Sequence, residues 1–411
     1  MTPAVVVMAI TLLLALQPIT TDLYLPALPT LQRELGASVG AAQLTLSALI
    51  ISFGLAQLAV GPLADRFGRR PVLLIGMALY TVASIFSAAA QHIETLVAWR
   101  VVQGMGLAAA VTCGRSIVRD LFTPQEGARV MSRALGGLGL IAMLSPITGG
   151  LLVQTINWHA ALLAAAVFGA GTFAFIAWKF EETLVSPDRH ATRPTHILRN
   201  WGQVLGNPTF RAWSALMCCS WGGLFFVLAG SSFVFINMLG TSRLEFGVIL
   251  ASSSLAYIGG TFLCRHLLRR HGLRGAVKRG ACLSLGGGVS MAGLSLAGVE
   301  AVWAIMVPQL LFAAGHGIHQ PCGQAGVVGP FPEKAGTAAS LSGFAMMLTA
   351  FLISLWLGST LAHSALPVTL GVGAFSLLLG VVALTLVQRD GDPANVHAQM
   401  AEAAAVIEPI R

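Results

Sequence analysis

Charge is what this sequence has least of. Only 10% of its 411 residues are Asp, Glu, Lys or Arg, against about 25% in a soluble domain. That shortage excludes a soluble globular fold, a disordered chain and a nucleic-acid-binding protein. Acid is the scarcer sign, with 16 Asp+Glu against 24 Lys+Arg. Cysteine is also scarce. The six (Cys113, Cys218, Cys219, Cys264, Cys282, Cys322) form no C-x-x-C pair and all fall in apolar runs. They read as small packing residues, not as disulfides or metal ligands. No G-x-x-x-x-G-K-[ST] loop is present, and no serine–histidine–carboxylate arrangement stands out. Neither an enzyme nor a cofactor nor a metal is therefore expected. The first apolar run lacks a basic n-region and an A-x-A site, so it reads as a membrane helix and not as a signal peptide.

What is abundant is long apolar sequence. Charge-free stretches run 1–21, 35–64, 71–93, 134–178, 212–242, 246–264, 280–299, 301–332 and 335–388. About 20 apolar residues cross about 30 Å of hydrocarbon. The stretches 134–178 and 335–388 are each long enough for two crossings, with breaks near Asn157–His159 and His363–Pro367. Residues 95–118 add one more, interrupted by Arg100. The sequence thus predicts an all-α membrane protein with twelve transmembrane helices.

The net charge of +8 has a membrane explanation. With the N-terminus in the cytoplasm and twelve alternating helices, 21 of the 24 basic residues fall on the cytoplasmic side. Arg33 and Arg243 lie outside and Arg100 lies within a helix. Such asymmetry orients a membrane protein and places both termini in the cytoplasm.

The longest polar segment, Glu181–Arg211, divides the chain into two halves of six helices. The expected organisation is a bundle at 1–180, a cytoplasmic linker at 181–208, a second bundle at 209–390 and a cytoplasmic tail at 391–411. The halves read as weak copies. Gly104-Met-Gly106 matches Gly315-His-Gly317 and Cys113-Gly114 matches Cys322-Gly323, both offset by about 210 residues. Gly61, Arg66 and Arg69-Arg70 have a degraded counterpart in Gly260, Arg265 and Arg269-Arg270. Parallel repeats put a substrate path at their interface near the bilayer midplane. The many glycines suit helices that associate in lipid by close packing.

Several residues carry chemistry. The loop after the second helix reads Gly61-Pro-Leu-Ala-Asp65-Arg66-Phe-Gly68-Arg69-Arg70, and its glycine–proline pair is expected to end that helix. The fourth helix holds Arg100-Val-Val-Gln103-Gly104. An arginine at the bilayer centre costs about 2.5–3.5 kcal/mol on insertion scales, so it needs a partner or must snorkel to the interface. The fifth helix carries Pro146, Gly149 and Gly150, which bend it and permit close packing. Asp22 is the one acid that the hydropathy map leaves in or near the membrane. Burial would raise its pKa and a nearby Arg100 would lower it, so the pair is expected to act as a protonation switch. His316 and His319, spaced i, i+3, share a helix face. They suit hydrogen bonding in a cavity, with proton transfer open. Trp221, Phe225, Phe233, Asn237, Tyr24 and Tyr257 are expected to line a pocket for an aromatic, mostly neutral ligand. Gln43, Gln103 and Gln320 add polar contacts to it.

The signature loop resembles that of the major facilitator superfamily, G-x-L-a-D-r-x-G-r-k. Arg100 to Gly104 is similar to the R-x-x-Q-G motif that this family links to proton transfer. Ser145-Pro146-Ile-Thr-Gly149-Gly150 resembles its antiporter motif, with Ile141 and Ser145 replacing two glycines. Asp22-Leu-Tyr-Leu-Pro-Ala-Leu-Pro resembles the first-helix signature of the Bcr/CflA drug:proton antiporters. Gln43-Leu-Thr-Leu-Ser47, Arg119-Asp120-Leu-Phe-Thr-Pro-Gln-Glu126 and Pro332-Glu-Lys-Ala-Gly336 agree with it. The resemblance covers about residues 5–388. It implies two pseudo-symmetric six-helix bundles in a bacterial cytoplasmic membrane. It implies proton-driven export of amphenicol- or bicyclomycin-like drugs by a monomer through alternating access. Gly61, Asp65, Arg66, Gly68, Arg69 and Arg70 would then gate, and Asp22 and Arg100 would couple protons. The expected partners are a small-molecule drug, protons and the lipid bilayer, with no nucleic acid. The alternative is proton-coupled export of an endogenous sugar, amino acid or short peptide.

Overall fold

In lipid every backbone polar group must be satisfied within the chain, which apolar runs of this length achieve as helices. The computed structural model describes residues 2–122, 124–184, 186–188, 190–361 and 364–392, and among them every regular element is helical. The tail expected at 391–411 lies outside the described residues beyond position 392. So do His363, in the break expected after the eleventh helix, and Arg189 of the linker.

Six helices precede the linker: α1 Pro3–Thr21, α2 Val39–Phe67, α3 Arg69–Ala88, α4 Ile93–Leu121, α5 Pro124–Thr155 and α6 Trp158–Lys179. Then come α7 Pro208–Ser232, a continuous run Arg243–Leu296, α10 Val302–Val328, α11 Ala335–Thr360 and α12 Leu366–Leu384. Eleven helices among the described residues are long and apolar enough to span. The run Arg243–Leu296 has 54 residues and is broken at Gly272, with φ 62 and ψ −172. At 1.5 Å per residue its length is about 80 Å, more than twice a bilayer core. It therefore supplies two crossings, α8 (243–271) and α9 (273–296), which brings the count to twelve.

Helices α1–α6 pack against one another, as do α7–α12, and the two groups meet along α2–α11 and α5–α8. Glycine sets the close crossings. A Cβ on Gly106 of α4 would stand 2.5 Å from the Gly76 carbonyl oxygen and 2.6 Å from the Tyr80 nitrogen of α3. The matching crossing in the second group is Gly315 of α10, whose Cβ would stand 2.2 Å from Ser284 Oγ of α9.

Two local expectations change. Gly61-Pro62 does not end α2, which runs through Pro62 to Phe67. A membrane helix tolerates the lost proline bond. The helix stops instead at Gly68, whose φ of 100 suits only glycine. The linker, for which the sequence predicts no regular element, holds a helix at Pro194–Gly206. Its Ile197, Trp201 and Val204 fall on one face at helical spacing. Val204 is buried and Leu198 and Leu205 are exposed beside it.

Close packing gives a paired test. Gly106→Ala should destabilise by about 1–3 kcal/mol, the usual cost of overpacking, seen as a lower thermal midpoint of the purified protein. Gly136→Ala, whose Cβ would meet nothing within 4 Å, should hold the midpoint or raise it.

Candidate functional site

The first bundle holds a buried polar cluster at Arg100. Arg100 lies two turns into α4 and is 1% exposed, so it does not snorkel. Its Nη1 donates to Gln103 Oε1 at 2.8 Å, and Gln103 Nε2 donates to Ser84 Oγ at 2.7 Å. Its guanidinium carbon sits 3.8 Å from the centroid of the Tyr24 ring. Tyr24 Oη shares a 2.6 Å hydrogen bond with Thr45 Oγ1 on α2. Arg100 Nε and Nη2 are buried without a hydrogen-bond partner. A cation over a desolvated ring gains about 2 kcal/mol, and a hydrogen bond to a charged group about 1.5–3. Together these reach or exceed the insertion cost of an arginine.

Asp22 and Arg100 do not form the expected ion pair. Helix α1 ends at Thr21, and a turn leads into a 3₁₀ segment at Leu25–Ala27. Two residues apart in a tight turn point to different sides, so Tyr24 takes the place over Arg100. Asp22 is half-buried, and its Oδ1 accepts from Thr21 Oγ1 at 2.7 Å. Below this turn lies the proline–glycine segment of α5: a Cβ on Gly149 would stand 2.1 Å from the Leu23 carbonyl oxygen.

The second bundle carries its own cluster. His316 Nδ1 lies 2.8 Å from Ser220 Oγ of α7. Its ring is 6.0 Å from that of Trp221 and 5.6 Å from that of Tyr257. Tyr257 Oη donates to Gln320 Oε1. Phe225 stacks on Trp221 at 6.5 Å. Trp221 Nε1 and both ring nitrogens of His319 are buried without partners. His319 is separate from His316, packed towards Gly280 of α9. Phe233 is buried. Asn237 is exposed in a π-helical turn, Phe233–Met238, beyond the end of α7. It does not join the cluster. No group of three or more metal-ligating side chains occurs among the described residues.

Gln43 does something else. Its Nε2 donates to the Ala229 carbonyl of α7 at 2.7 Å, so it bridges the bundles. Other bridges lie at the same end, away from the arginine-rich loop. Arg243 Nε donates to Thr30 Oγ1 at 2.9 Å and the Leu244 amide to Gln154 Oε1 at 3.2 Å. A Cβ on Gly150 would stand 2.3 Å from the Arg243 carbonyl oxygen, and one on Gly247 2.4 Å from that of Pro146. At this end the two bundles are in contact.

At the opposite, basic end the signature loop bonds within its own bundle and to the linker. Arg69 pairs with Asp65 at 2.6 Å and with Asp120 at 2.9 Å. Arg70 donates to the carbonyls of Phe180 and Ala177 at the end of α6. Arg66 donates to Thr192 Oγ1 at 2.5 Å. Glu182 accepts from the amides of Arg69 and Arg70 at 2.9 and 3.0 Å, capping α3. Gly61 has open space around it.

One residue escaped the sequence reading. Hydropathy places Arg115 among the cytoplasmic basic residues, yet it lies inside α4, six positions before its end. It is exposed, and no described carboxylate pairs with it. Its signal was the position itself, fifteen residues beyond Arg100 on one continuous helix.

The cap on α3 has a pH signature. Partial burial pushes the Glu182 carboxyl up, but the amides of Leu184, Arg69, Arg70 and Thr183 outweigh it and hold the group below the usual glutamate range. A depressed folded pKa contributes stability above the unfolded value and loses it as pH falls through the folded value. The Arg69 and Arg70 amides should keep their hydrogen-exchange protection at neutral pH and lose it only below the ordinary glutamate range. Glu182→Gln should show the reduced protection at every pH.

Known proteins agree with this architecture. The sequence profile of the Major Facilitator Superfamily matches residues 10–354. Multidrug resistance protein D of Escherichia coli K12 is 29% identical over 92% of each chain. A chloramphenicol resistance protein of Pseudomonas aeruginosa is 27% identical over 78% of this chain and 75% of its own. The xylose transporter XylE from E. coli, in a partially occluded inward-open conformation, superposes with a TM-score of 0.75 at 13% identity, over 95% of this chain and all of that one. A twelve-crossing helical fold and a family match across most of the chain make this protein a multi-pass membrane transporter that belongs to the Major Facilitator Superfamily.

Proposed function

We propose that this chain is a proton-coupled efflux antiporter in a bacterial cytoplasmic membrane, exporting small apolar or aromatic antibiotics of the amphenicol or bicyclomycin type. The observation that carries the reading is Asp22. It is a half-buried carboxylate at the broken end of α1, without an arginine partner and packed beside the proline–glycine segment of α5. Drug resistance named in two relatives and the sequence motifs support the substrate class. The basic end faces the cytoplasm, so both termini lie there, and the chain works as a monomer. The bundles contain residues 1–180 and 209–390, joined by the linker at 181–208.

In this reading Asp22 takes up and releases the proton. Arg100 acts beside it, holding Tyr24 and Gln103 in place, so it is a fixed charge and not a direct partner. The aromatic cluster of Trp221, Phe225, Tyr257, His316 and Gln320 faces the drug, with Tyr24 opposite. Asp65, Arg66, Gly68, Arg69 and Arg70 form a latch at the cytoplasmic end. Gln43 and Arg243 belong to the outer closure, which must part for release. One charge crossing 100 mV supplies about 2.3 kcal/mol, enough to concentrate a neutral drug roughly 50-fold.

Purified protein in sealed liposomes, with a pH dye and added chloramphenicol, tests this. Drug-evoked proton movement is expected, and its loss in Asp22→Asn, with folding unchanged, places coupling at that residue. Normal drug gradients in Asp22→Asn would overturn the assignment. Flux evoked only by a polar metabolite would replace the drug with an endogenous substrate.

A further inference from the structure

Arginine recurs on one side of α4. Arg100 and Arg115 are fifteen residues apart, about 22 Å along the helix and within about 60° around it. Arg119 follows one turn later. A neighbour from the other bundle fixes which way the basic end of this side looks. Arg119 Nη1 lies 3.5 Å from where a Cβ of Gly336 would stand, on α11 of the other bundle. Arg119, and the exposed Arg115 about 40° around the helix from it, therefore border the space between the bundles, and Arg100 lies deeper, buried inside the first bundle.

Little negative charge answers it. Asp120 is engaged by Arg69 at 2.9 Å and approaches Arg119 Nε only to 3.8 Å. Asp22 is bonded to Thr21. No described carboxylate lies within ion-pair distance of Arg100 or Arg115. Trp221 Nε1 and Arg100 Nε and Nη2 are buried without an acceptor, against one buried amide oxygen, Gln309 Oε1, without a donor. The excess of donors and positive charge calls for a ligand rich in acceptors.

We infer that the Arg100–Arg115–Arg119 face of α4 is a cationic track that admits permeants bearing a carboxylate or similar anionic group and rejects lipophilic cations. The inference rests on the transport reading above and adds anionic aromatic permeants to its neutral substrates. An aromatic carboxylate fits both ends of the path. Its anion is drawn along α4 by the two accessible arginines, and its ring meets Tyr24, Trp221 and Phe225. Opposite charges attract strongly where solvent screening is incomplete, so even a screened contact with Arg115 discriminates. An amphiphilic cation meets its own sign at the mouth and is repelled.

Three probes sharing one ring test it: 2-naphthoate, 2-naphthamide and trimethyl(2-naphthyl)ammonium. Each is measured by equilibrium dialysis against the full chain in phosphatidylcholine nanodiscs, with empty nanodiscs subtracted. Naphthoate should bind at least about tenfold more tightly than the ammonium probe, and more weakly as salt rises. Arg115→Gln should cut the naphthoate-to-naphthamide affinity ratio about tenfold, and Arg115→Lys should restore most of it. Equal binding of the three probes, no naphthoate binding by folded protein, or an unchanged ratio in Arg115→Gln would overturn the inference. Loss of naphthoate binding when phosphatidylglycerol replaces phosphatidylcholine would overturn it too, assigning the row to lipid headgroups. Proton exchange is followed with a neutral drug, so failure of either experiment leaves the other standing.

Discussion

A positive charge buried in a bilayer-spanning bundle must be answered from within the protein, and the interior of the first bundle is arranged around that demand. Arg100 is 1% exposed. It has no carboxylate beside it, so its stabilisation comes from a ring face and an amide. The Tyr24 ring reaches it only because α1 stops at Thr21 and the chain turns. Thr45 on α2 and Ser84 on α3 fix the two partners in turn. One charge thereby couples four helices. A low-dielectric network of this kind is stiff because breaking any link leaves a buried polar group unsatisfied.

The same economy separates the two ends of the molecule. At the basic end the arginines are spent inside the first bundle and on the linker: Arg69 on Asp65 and Asp120, Arg70 on the last carbonyls of α6, Arg66 on Thr192. At the far end polar groups cross from one bundle to the other, as Gln43 does to Ala229 and Arg243 to Thr30. A contact within one bundle moves with it, whereas a contact across bundles must break when they part. Parting the bundles therefore has to break contacts at the Gln43 and Arg243 end in this conformation: neutral hydrogen bonds of about 0.5–1.5 kcal/mol each, and the charged one from Arg243 of about 1.5–3.

Much of this was legible in the residues. Apolar length, sparse charge and the placement of arginines foretold twelve crossings, because backbone burial in lipid leaves no other solution. Gln103 is expected at the ligand, yet its i, i+3 spacing from Arg100 turns it to that charge instead. The Asp22–Arg100 pair was not legible, because which of two residues in a turn faces inward depends on where α1 breaks. Gly61-Pro62 misled for a related reason: proline stops a helix in water more readily than in a packed membrane bundle. Arg115 was hidden by the length of α4, which carries what hydropathy alone assigns to a loop. Asn237 is polar and close in sequence to the aromatic cluster, yet the π-helical turn carries it to the surface.

The proline–glycine segment of α5 touches both things that must be coordinated. Gly149 lies against the Leu23 carbonyl, in the turn that holds Asp22, and the next residue, Gly150, lies against Arg243 at the start of α8. Successive residues on a helix are about 100° apart, so one short stretch faces the acid-bearing turn on one side and the opposite bundle on the other. Neither contact leaves space for a side chain, so neither surface can shift without displacing the α5 backbone. Pro146 adds compliance at that level, since its carbonyl also receives Gly247 of α8. If protonation of Asp22 resets the turn, the displacement passes through Gly149 and Gly150 to α8 without an intervening side chain. That is a rigid path only a few ångströms long. It explains in mechanical terms why small residues, and not charged ones, occupy the seam between the Asp22-bearing turn and the inter-bundle contacts at the far end.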